Sequence, residues 1–112
     1  MEEEKPVAPT EYEDFIVVSS NHVPGYRVVE TIGFVQGLTV KSRGLGGRVG
    51  SEITEYVKMM ENARQEAIKR MIDHARELGA NAVISARFDS DSTADVMKEI
   101  LAYGTAVIVE KE

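Results

Sequence analysis

The sequence predicts an α+β fold in which one long helix packs on one face of a small sheet of about four main strands. A helical period of apolar residues runs over residues 53–78, and strand-like segments lie on both sides of it. The last of these segments is apolar on both of its faces. The expected order of elements is therefore β-β-α-β-β.

The helix is the most strongly patterned element of the chain. Its apolar face consists of Ile53, Val57, Met60, Ala67, Ile68, Met71, Ile72, Ala75 and Leu78. Ser51 is a candidate N-cap, because its hydroxyl can accept a hydrogen bond from a free amide of the first turn. Gly79 follows the last apolar position, where a left-handed C-cap favours glycine.

Four segments are expected to be strands, at residues 15–18, 27–40, 81–89 and 99–110. In the second segment, one predicted face consists of Val28, Ile32, Phe34, Leu38 and Val40. Gly33 and Gly37 in the same segment indicate a bulge or a second backbone passing close by. In the third segment, the predicted apolar face consists of Ala82, Ile84, Ala86 and Phe88.

The last segment suggests self-association. One of its faces carries Ile100, Ala102, Ala106 and Ile108, and the other carries Leu101, Tyr103, Val107 and Val109. A strand that is apolar on both faces has to be covered on both, and a single helix can cover only one. We therefore expect the second face to meet another copy of the chain in a homo-oligomer.

Composition excludes several functional classes. We expect the 112 residues to form one domain at 13–112 after a flexible acidic arm at 1–12. A net charge of −6 without basic clusters argues against nucleic acid as a partner. The absence of cysteine excludes disulfides, thiol catalysis and thiolate metal sites. No apolar run is long enough for a membrane span and the start is charged, so we expect a cytoplasmic protein.

Arg64 interrupts the apolar face of the helix, since it lies seven residues from both Val57 and Met71. Either it extends to solvent or pairs with a carboxylate of a strand or a neighbouring subunit, or it faces an anion pocket. His74 lies at the edge of the same face, beside Tyr56. It is either a packed, hydrogen-bonded side chain or a metal ligand.

The glycine-rich loop before the helix is a candidate anion site. It combines glycines with two basic residues, namely Arg43, Gly46, Gly47 and Arg48. Successive backbone amides near a helix N-terminus can hold an anion. The spacing matches neither a dinucleotide fingerprint nor a P-loop, so a tightly turned connection is the alternative.

An acidic segment follows the third predicted strand. Asp89, Asp91 and Asp95 alternate with hydroxyl residues and could bind a hard divalent cation such as Ca²⁺ or Mg²⁺. The pattern of a calcium loop is incomplete, and a solvated acidic turn is the alternative. Together with His74, Asp89 and Asp91 are the candidate metal ligands of the chain.

Six short motifs of this sequence occur together in a known family. They are Val29-Glu30-Thr31-Ile32-Gly33 with Gly37, Gly46-Gly47-Arg48 with Gly50, Tyr56, Ala63-Arg64 with Ala67, Leu78-Gly79-Ala80-Asn81-Ala82-Val83, and Tyr103-Gly104-Thr105-Ala106-Val107. In these motifs the chain resembles the YbjQ-like family of small bacterial and archaeal proteins, described as a heavy-metal-binding domain. The resemblance extends over about residues 15–109.

The resemblance to the YbjQ-like family implies a subunit similar in outline to the dodecin type, which assembles into a ring-shaped homo-oligomer, a pentamer. It also implies that Arg64 and the glycine-rich loop lie near subunit contacts. The sequence departs from the heavy-metal description, because it contains no cysteine and only two histidines.

Two functional hypotheses follow. The first is a non-enzymatic, ring-forming protein that binds a metal ion or a small ligand, or serves as an assembly scaffold. The second is an enzyme that acts on a phosphorylated or carboxylated small molecule at a subunit interface. In that case the glycine-rich loop and Arg64 would hold the anion, and Tyr56 or His74 would act as acid or base. Neither histidine lies in a triad-like context, so nucleophilic catalysis finds no support.

Overall fold

The computed structural model describes residues 10–12, 14–42, 52–93 and 97–112. Its elements are β1 (Thr10–Glu11), β2 (Ile16–Val17), β3 (Tyr26–Ser42), α1 (Glu52–Glu77), β4 (Ala82–Thr93) and β5 (Met97–Lys111). They form one sheet in the order β1-β2-β4-β5-β3, in which only the β2–β4 pair is parallel. The predicted α+β class and the β-β-α-β-β order of the main elements are confirmed.

The N-terminal residues take part in the sheet earlier than expected. The sequence predicts that residues 10–12 belong to the flexible arm, but Thr10 and Glu11 form β1 and pair with β2. Tyr12 and Phe15 then exchange two backbone hydrogen bonds that close the turn between these strands. The remainder of the expected arm, residues 1–9, lies outside the described residues.

Helix α1 ends in the motif that the sequence predicts. Gly79 has φ +92°, and its N–H donates to the carbonyl of Arg76 at 2.9 Å. The N–H of Ala80 donates to the carbonyl of Ala75 at 3.0 Å, which completes a Schellman motif. The predicted helix is confirmed to within one residue at each end, while its predicted N-cap, Ser51, lies outside the described residues.

Three alanines of α1 and a glycine of β3 bring the helix close to the sheet. Ala63, Ala67, Met71 and Ala75 recur at four-residue spacing, and all four are fully buried. Gly37 of β3 lies under this row, and a Cβ atom placed there would overlap the carbonyl oxygen of Ala67 and the backbone nitrogen of Met71. The close backbone approach predicted from Gly37 is therefore confirmed.

The apolar face predicted for β3 mostly turns away from the helix. Val35, Gly37 and Thr39 are the buried residues beneath α1, whereas Phe34 is 62% exposed on the opposite face. The pairing of β3 with β5 shifts between Val28 and Glu30 and again between Thr31 and Gly33. These two bulges change the side-chain alternation, so Ile32 packs with the helix-side core while Phe34, Leu38 and Val40 do not.

A bulge in β4 also corrects a sequence prediction. Ile84 pairs with Thr105 and Arg87 pairs with Tyr103, so two residues, Ser85 and Ala86, lie opposite Gly104. Ser85 has φ +55°. As a result, Ala82 and Ile84 pack on one side of the sheet, while Ala86 and Phe88 lie on the helix side. The expectation that these four residues share one face is wrong, because the bulge reverses the alternation.

The second face of β5 is covered for half of its length by the chain itself. Val107 and Val109 are buried against Ile16, Val23 and Ala82 in a second apolar cluster. The inference that this whole face needs another subunit is therefore wrong for its C-terminal half. Leu101 and Tyr103, in the N-terminal half, remain only partly buried.

Asn81 extends the pairing of β4 with β5 by means of its side chain. Its Nδ2 donates to the carbonyl of Val109 at 2.9 Å, and its Oδ1 accepts from the N–H of Val109 at 2.8 Å. The backbone N–H of Asn81 donates to the carbonyl of Val107 at 3.1 Å. Val109 is only 4% exposed, so its backbone groups depend on this side chain.

We expect Asn81→Ala to lower the free energy of unfolding by about 2 kcal/mol, because it leaves a buried donor and a buried acceptor without partners. Urea denaturation followed by circular dichroism measures this change. Asn62→Ala, at an exposed position of α1, is the control and should change stability by less than about 0.5 kcal/mol. Equal stability of both variants would show that water replaces the bonds made by Asn81.

Candidate functional site

A cleft of about 290 Å³ lies between α1 and β4. It exists because α1 packs chiefly on β3 and β5, so the helix side of β4 is incompletely covered. Ile68 and Met71 of α1 form one wall, Ala86, Arg87 and Phe88 of β4 form the other, and Ala102 of β5 forms the floor. Tyr12 and residues 17–19 complete the lining. The bulge at Ser85 is what turns Ala86 and Phe88 into this space.

Arg64 is not itself a lining residue of the cleft, but it lies one helical turn before Ile68 and beside Phe88, both of which line it. It is exposed, and its Cζ lies 5.9 Å from the centre of the Phe88 ring. Among the ion pairs formed by the described residues, none involves Arg64. Of the alternatives for Arg64, pairing with a carboxylate of a strand is therefore not present among the described residues, whereas its exposure agrees with a side chain that extends to solvent. The reason is the position of α1 over β3, which leaves Arg64 beside β4 rather than over the core.

His74 bonds to the outer edge of β3. The backbone N–H of Gln36 donates to its Nδ1 at 3.3 Å, so in the neutral ring the proton is on Nε2. Arg70 donates to the carbonyl of Leu38 at 2.7 Å, and Glu66 forms an ion pair with Lys41 at 3.2 Å. Glu66, Arg70 and His74 lie one helical turn apart and form a polar row on α1. Arg70 and His74 of this row provide hydrogen-bond partners for backbone groups at the edge of β3. The geometry agrees with the packed, hydrogen-bonded interpretation of His74.

The two aspartates proposed as metal ligands lie in a strand and not in a turn. Strand β4 continues to Thr93, so the acidic segment is regular sheet up to that residue and not a solvated turn. Asp89 pairs with Leu101 and Asp91 pairs with Glu99, both on the face opposite α1, and both are exposed. His74, by contrast, belongs to the helix side, so one subunit does not bring these three side chains together.

The candidate anion site is described only in part. Arg43, Gly46, Gly47 and Arg48 lie outside the described residues. Tyr56 is half-buried near the start of α1 and already interacts with other groups. Of the proposed anion-binding residues, the structure therefore describes Arg64 and Tyr56.

Comparison with known proteins shows a match to a family model, named YbjQ and described as "Putative heavy-metal-binding", over residues 15–110. The chain belongs to this family. A UPF0145 protein of Methanothermobacter thermautotrophicus is 68% identical over 91% of this chain and 96% of its own length. A UPF0145 protein of Sulfurisphaera tokodaii is 53% identical over 88% of this chain and 93% of its own length.

Among solved structures, the YbjQ chain resembles a protein of unknown function of the DUF74 family from Pediococcus pentosaceus. The TM-score is 0.62 at 14% sequence identity, and the alignment covers 86% of this chain and 98% of the other. A likeness at this identity supports the fold alone. It agrees with the α+β architecture built above from the strands and the helix.

The described side chains of this YbjQ protein do not fit a heavy-metal site. Soft metals favour thiolate ligands, and the chain contains no cysteine. Across the described ranges there is no group of three or more His, Asp or Glu side chains placed to hold a metal ion. The Nδ1 atom of His74 is already bonded, and that of His22 faces Asn21 Oδ1 at 3.4 Å. In the same part of the chain, no helix is long and apolar enough to cross a membrane.

Sequence reasoning identified Arg64 and His74 as unusual but missed what surrounds them. The cleft depends on the Ser85 bulge, and the only sequence signal for it is Gly104. A Cβ atom at Gly104 would lie 2.6 Å from Cγ1 of Val83 and 3.0 Å from the carbonyl oxygen of Ile84. A glycine within an apolar strand can therefore indicate a bulge on the neighbouring strand as well as on its own.

Proposed function

We propose that this protein is a non-enzymatic subunit of a closed homo-oligomer, a dodecin-like ring of five copies, that serves as a binding or assembly scaffold. The observation that supports the ring is an exposed apolar surface on the sheet face opposite α1. We call this surface the outer apolar face; it consists of Phe34, Leu38, Val40, Leu101 and Tyr103.

The outer apolar face combines exposure with side-chain contact. Phe34, Leu38 and Val40 are 62%, 43% and 44% exposed. The Phe34 and Tyr103 rings lie 6.2 Å apart between centres, at 36° to one another, so the aromatic pair presents one continuous surface. Contiguous exposed apolar surface that includes aromatic rings is typical of protein–protein contacts.

A second copy of the chain suits this surface because the subunit itself is thin. Its dimensions are 52 × 43 × 20 Å, and the helix covers only one face of the sheet. Covering the outer apolar face with another subunit adds a second layer to the core. In a ring, this face of one copy would contact a different surface of the next, as a closed head-to-tail assembly requires.

A second candidate function is favoured by Arg64. An arginine without a carboxylate partner among the described residues, beside an apolar cleft, suits an anionic small molecule. The protein would then bind a carboxylated or phosphorylated compound, or act on it at a subunit interface. The described part of the site contributes a cation and an apolar surface to this candidate.

Native mass spectrometry of the purified full-length protein tests the proposal. We expect a pentamer as the dominant species at micromolar concentration, without a stoichiometric metal ion. A monomer under these conditions would overturn the ring. A pentamer that carries one organic anion per subunit would support the second candidate, whereas one metal ion per subunit would contradict the analysis of the donor side chains.

A further inference from the structure

We infer that the cleft between α1 and β4 binds an amphipathic organic anion, a small molecule with an aromatic or branched aliphatic body and one carboxylate. The inference rests on the ligand-binding candidate proposed above, and it does not depend on the ring. It assigns the apolar body to the cleft and the carboxylate to Arg64.

The shape and lining of the cleft suit an apolar body of about two fused rings. Its volume of about 290 Å³ lies near the lower end of the range for small-molecule sites. Ile68, Met71, Ala86, Phe88 and Ala102 offer aliphatic, thioether and aromatic contacts. Phe88 is 47% exposed in the subunit, so a ligand would remove a large apolar side chain from water.

The β4 wall of the cleft is held in place by the backbone next to β2. Ser85 donates to the carbonyl of Ser20 at 2.7 Å, and Ala86 donates to the carbonyl of Val18 at 3.0 Å. Arg87 donates through its side chain to the carbonyls of Ser19 at 2.7 Å and Ala86 at 2.9 Å. These hydrogen bonds hold the bulge in place before a ligand binds. The β4 wall therefore does not have to be ordered on binding, which lowers the entropic cost of binding.

Two cations lie at the cleft, and both favour an anion. Arg87, which lines it, already donates to the carbonyls of Ser19 and Ala86, so we assign the carboxylate to Arg64. The guanidinium of Arg64 lies near the Phe88 ring, and in this position it can still bind a carboxylate through two parallel N–H donors. The aspartates of β4 do not oppose this, because Asp89 and Asp91 lie on the other face of the sheet. The chain has a net charge of −6, so most of its surface would repel an anion. The positive charge beside the cleft is therefore a local feature.

The experiment compares two matched probes, 1-naphthaleneacetate and its neutral amide 1-naphthaleneacetamide, by isothermal titration calorimetry on the full-length protein. Both contain the same ring system, and they differ in the charge that Arg64 would contact. We expect one site per subunit and about tenfold tighter binding of the acid, which corresponds to about 1.4 kcal/mol.

Three variants locate the site. Arg64→Met keeps most of the side-chain length and should reduce the affinity of the acid to that of the amide, without changing the amide. Ala86→Leu fills the cleft and should abolish binding of both probes. Arg27→Met is the control, because it removes an exposed arginine that pairs with Glu110, and both affinities should remain unchanged. Circular dichroism confirms the fold of each variant; Arg64→Met alone is decisive if Ala86→Leu does not fold.

Equal affinities of acid and amide in the native protein would overturn the inference. So would an absence of binding by both probes, as expected if another subunit fills the cleft, or a preference for the acid that survives Arg64→Met. Native mass spectrometry of the same samples gives the oligomeric state, so the binding inference and the proposed ring are tested separately. Monomers that bind the acid overturn the ring alone, and pentamers that do not bind it overturn the cleft alone.

Discussion

Gly37→Ala is expected to lower the free energy of unfolding by about 3 kcal/mol or more, and it can prevent folding altogether. The added methyl group would overlap the Ala67 carbonyl oxygen and the Met71 nitrogen, which are backbone atoms of α1. Backbone atoms cannot change rotamer, so the helix would have to move away from β3. That movement would loosen the packing of Ala63, Ala67, Met71 and Ala75 of α1 against the sheet.

Gly25→Ala is the matched control for this experiment. Gly25 has φ +83°, and a Cβ atom there has no other atom within 4 Å. Its replacement carries only the conformational strain of alanine in the left-handed region, about 1 kcal/mol. Urea denaturation of both variants measures the difference. If Gly37→Ala is no less stable than Gly25→Ala, α1 does not approach β3 as closely as described.

The double substitution Phe34→Asp and Leu38→Asp is expected to convert the proposed ring into monomers that keep their secondary structure. Both side chains belong to the outer apolar face and are exposed within the subunit, so the fold can accept polar groups there. In an assembled ring, the same carboxylates would be buried without partners, at a cost of several kcal/mol per contact. Analytical ultracentrifugation measures the loss of assembly, and circular dichroism measures the retained fold.

Asn62→Asp combined with Gln65→Asp is the control for added charge. It places the same number of carboxylates at exposed positions of α1, outside the outer apolar face, and should leave the assembly intact. Loss of assembly in this variant as well would place the complementary contact surface of the ring on α1. Full assembly of the Phe34/Leu38 variant would show that subunits associate through another surface. Ala106→Lys and Val107→Lys, on the two faces of β5, do not test assembly. Both residues are fully buried within one copy of the chain, so a charge at either position would disrupt the fold itself.

The periodicity of apolar residues predicted correctly those elements that keep the same face toward the core along their whole length. The helix and its glycine cap were predictable because a regular period and a left-handed C-cap leave direct signatures in the sequence. The element order followed in the same way. The faces of β3 and β4 were not predictable, because bulges near Val29, Ile32 and Ser85 each shift the alternation by one residue.

The candidate site was predictable only as a single unusual residue. A charge at position 64 within an apolar helical arc is visible in the sequence, but the direction in which it points depends on where the helix lies over the sheet. Gly37 sets that position by allowing α1 to settle over β3, and the cleft beside β4 is what remains uncovered. The relative positions of α1, β3 and β4 depend on contacts between residues that are far apart in the sequence. Local sequence patterns therefore do not predict the cleft.

The polar row on α1 also protects the edge of β3 against pairing with a foreign strand. Gln36 and Leu38 expose an N–H and a carbonyl at the margin of the sheet, where an extended segment of a foreign chain could otherwise add as a further strand. Arg70 and His74 already occupy both groups. Open-ended, fibre-like growth is therefore blocked at this point of β3. For the ring proposed above, this leaves association to the side chains of the outer apolar face and not to the backbone of the strand edge.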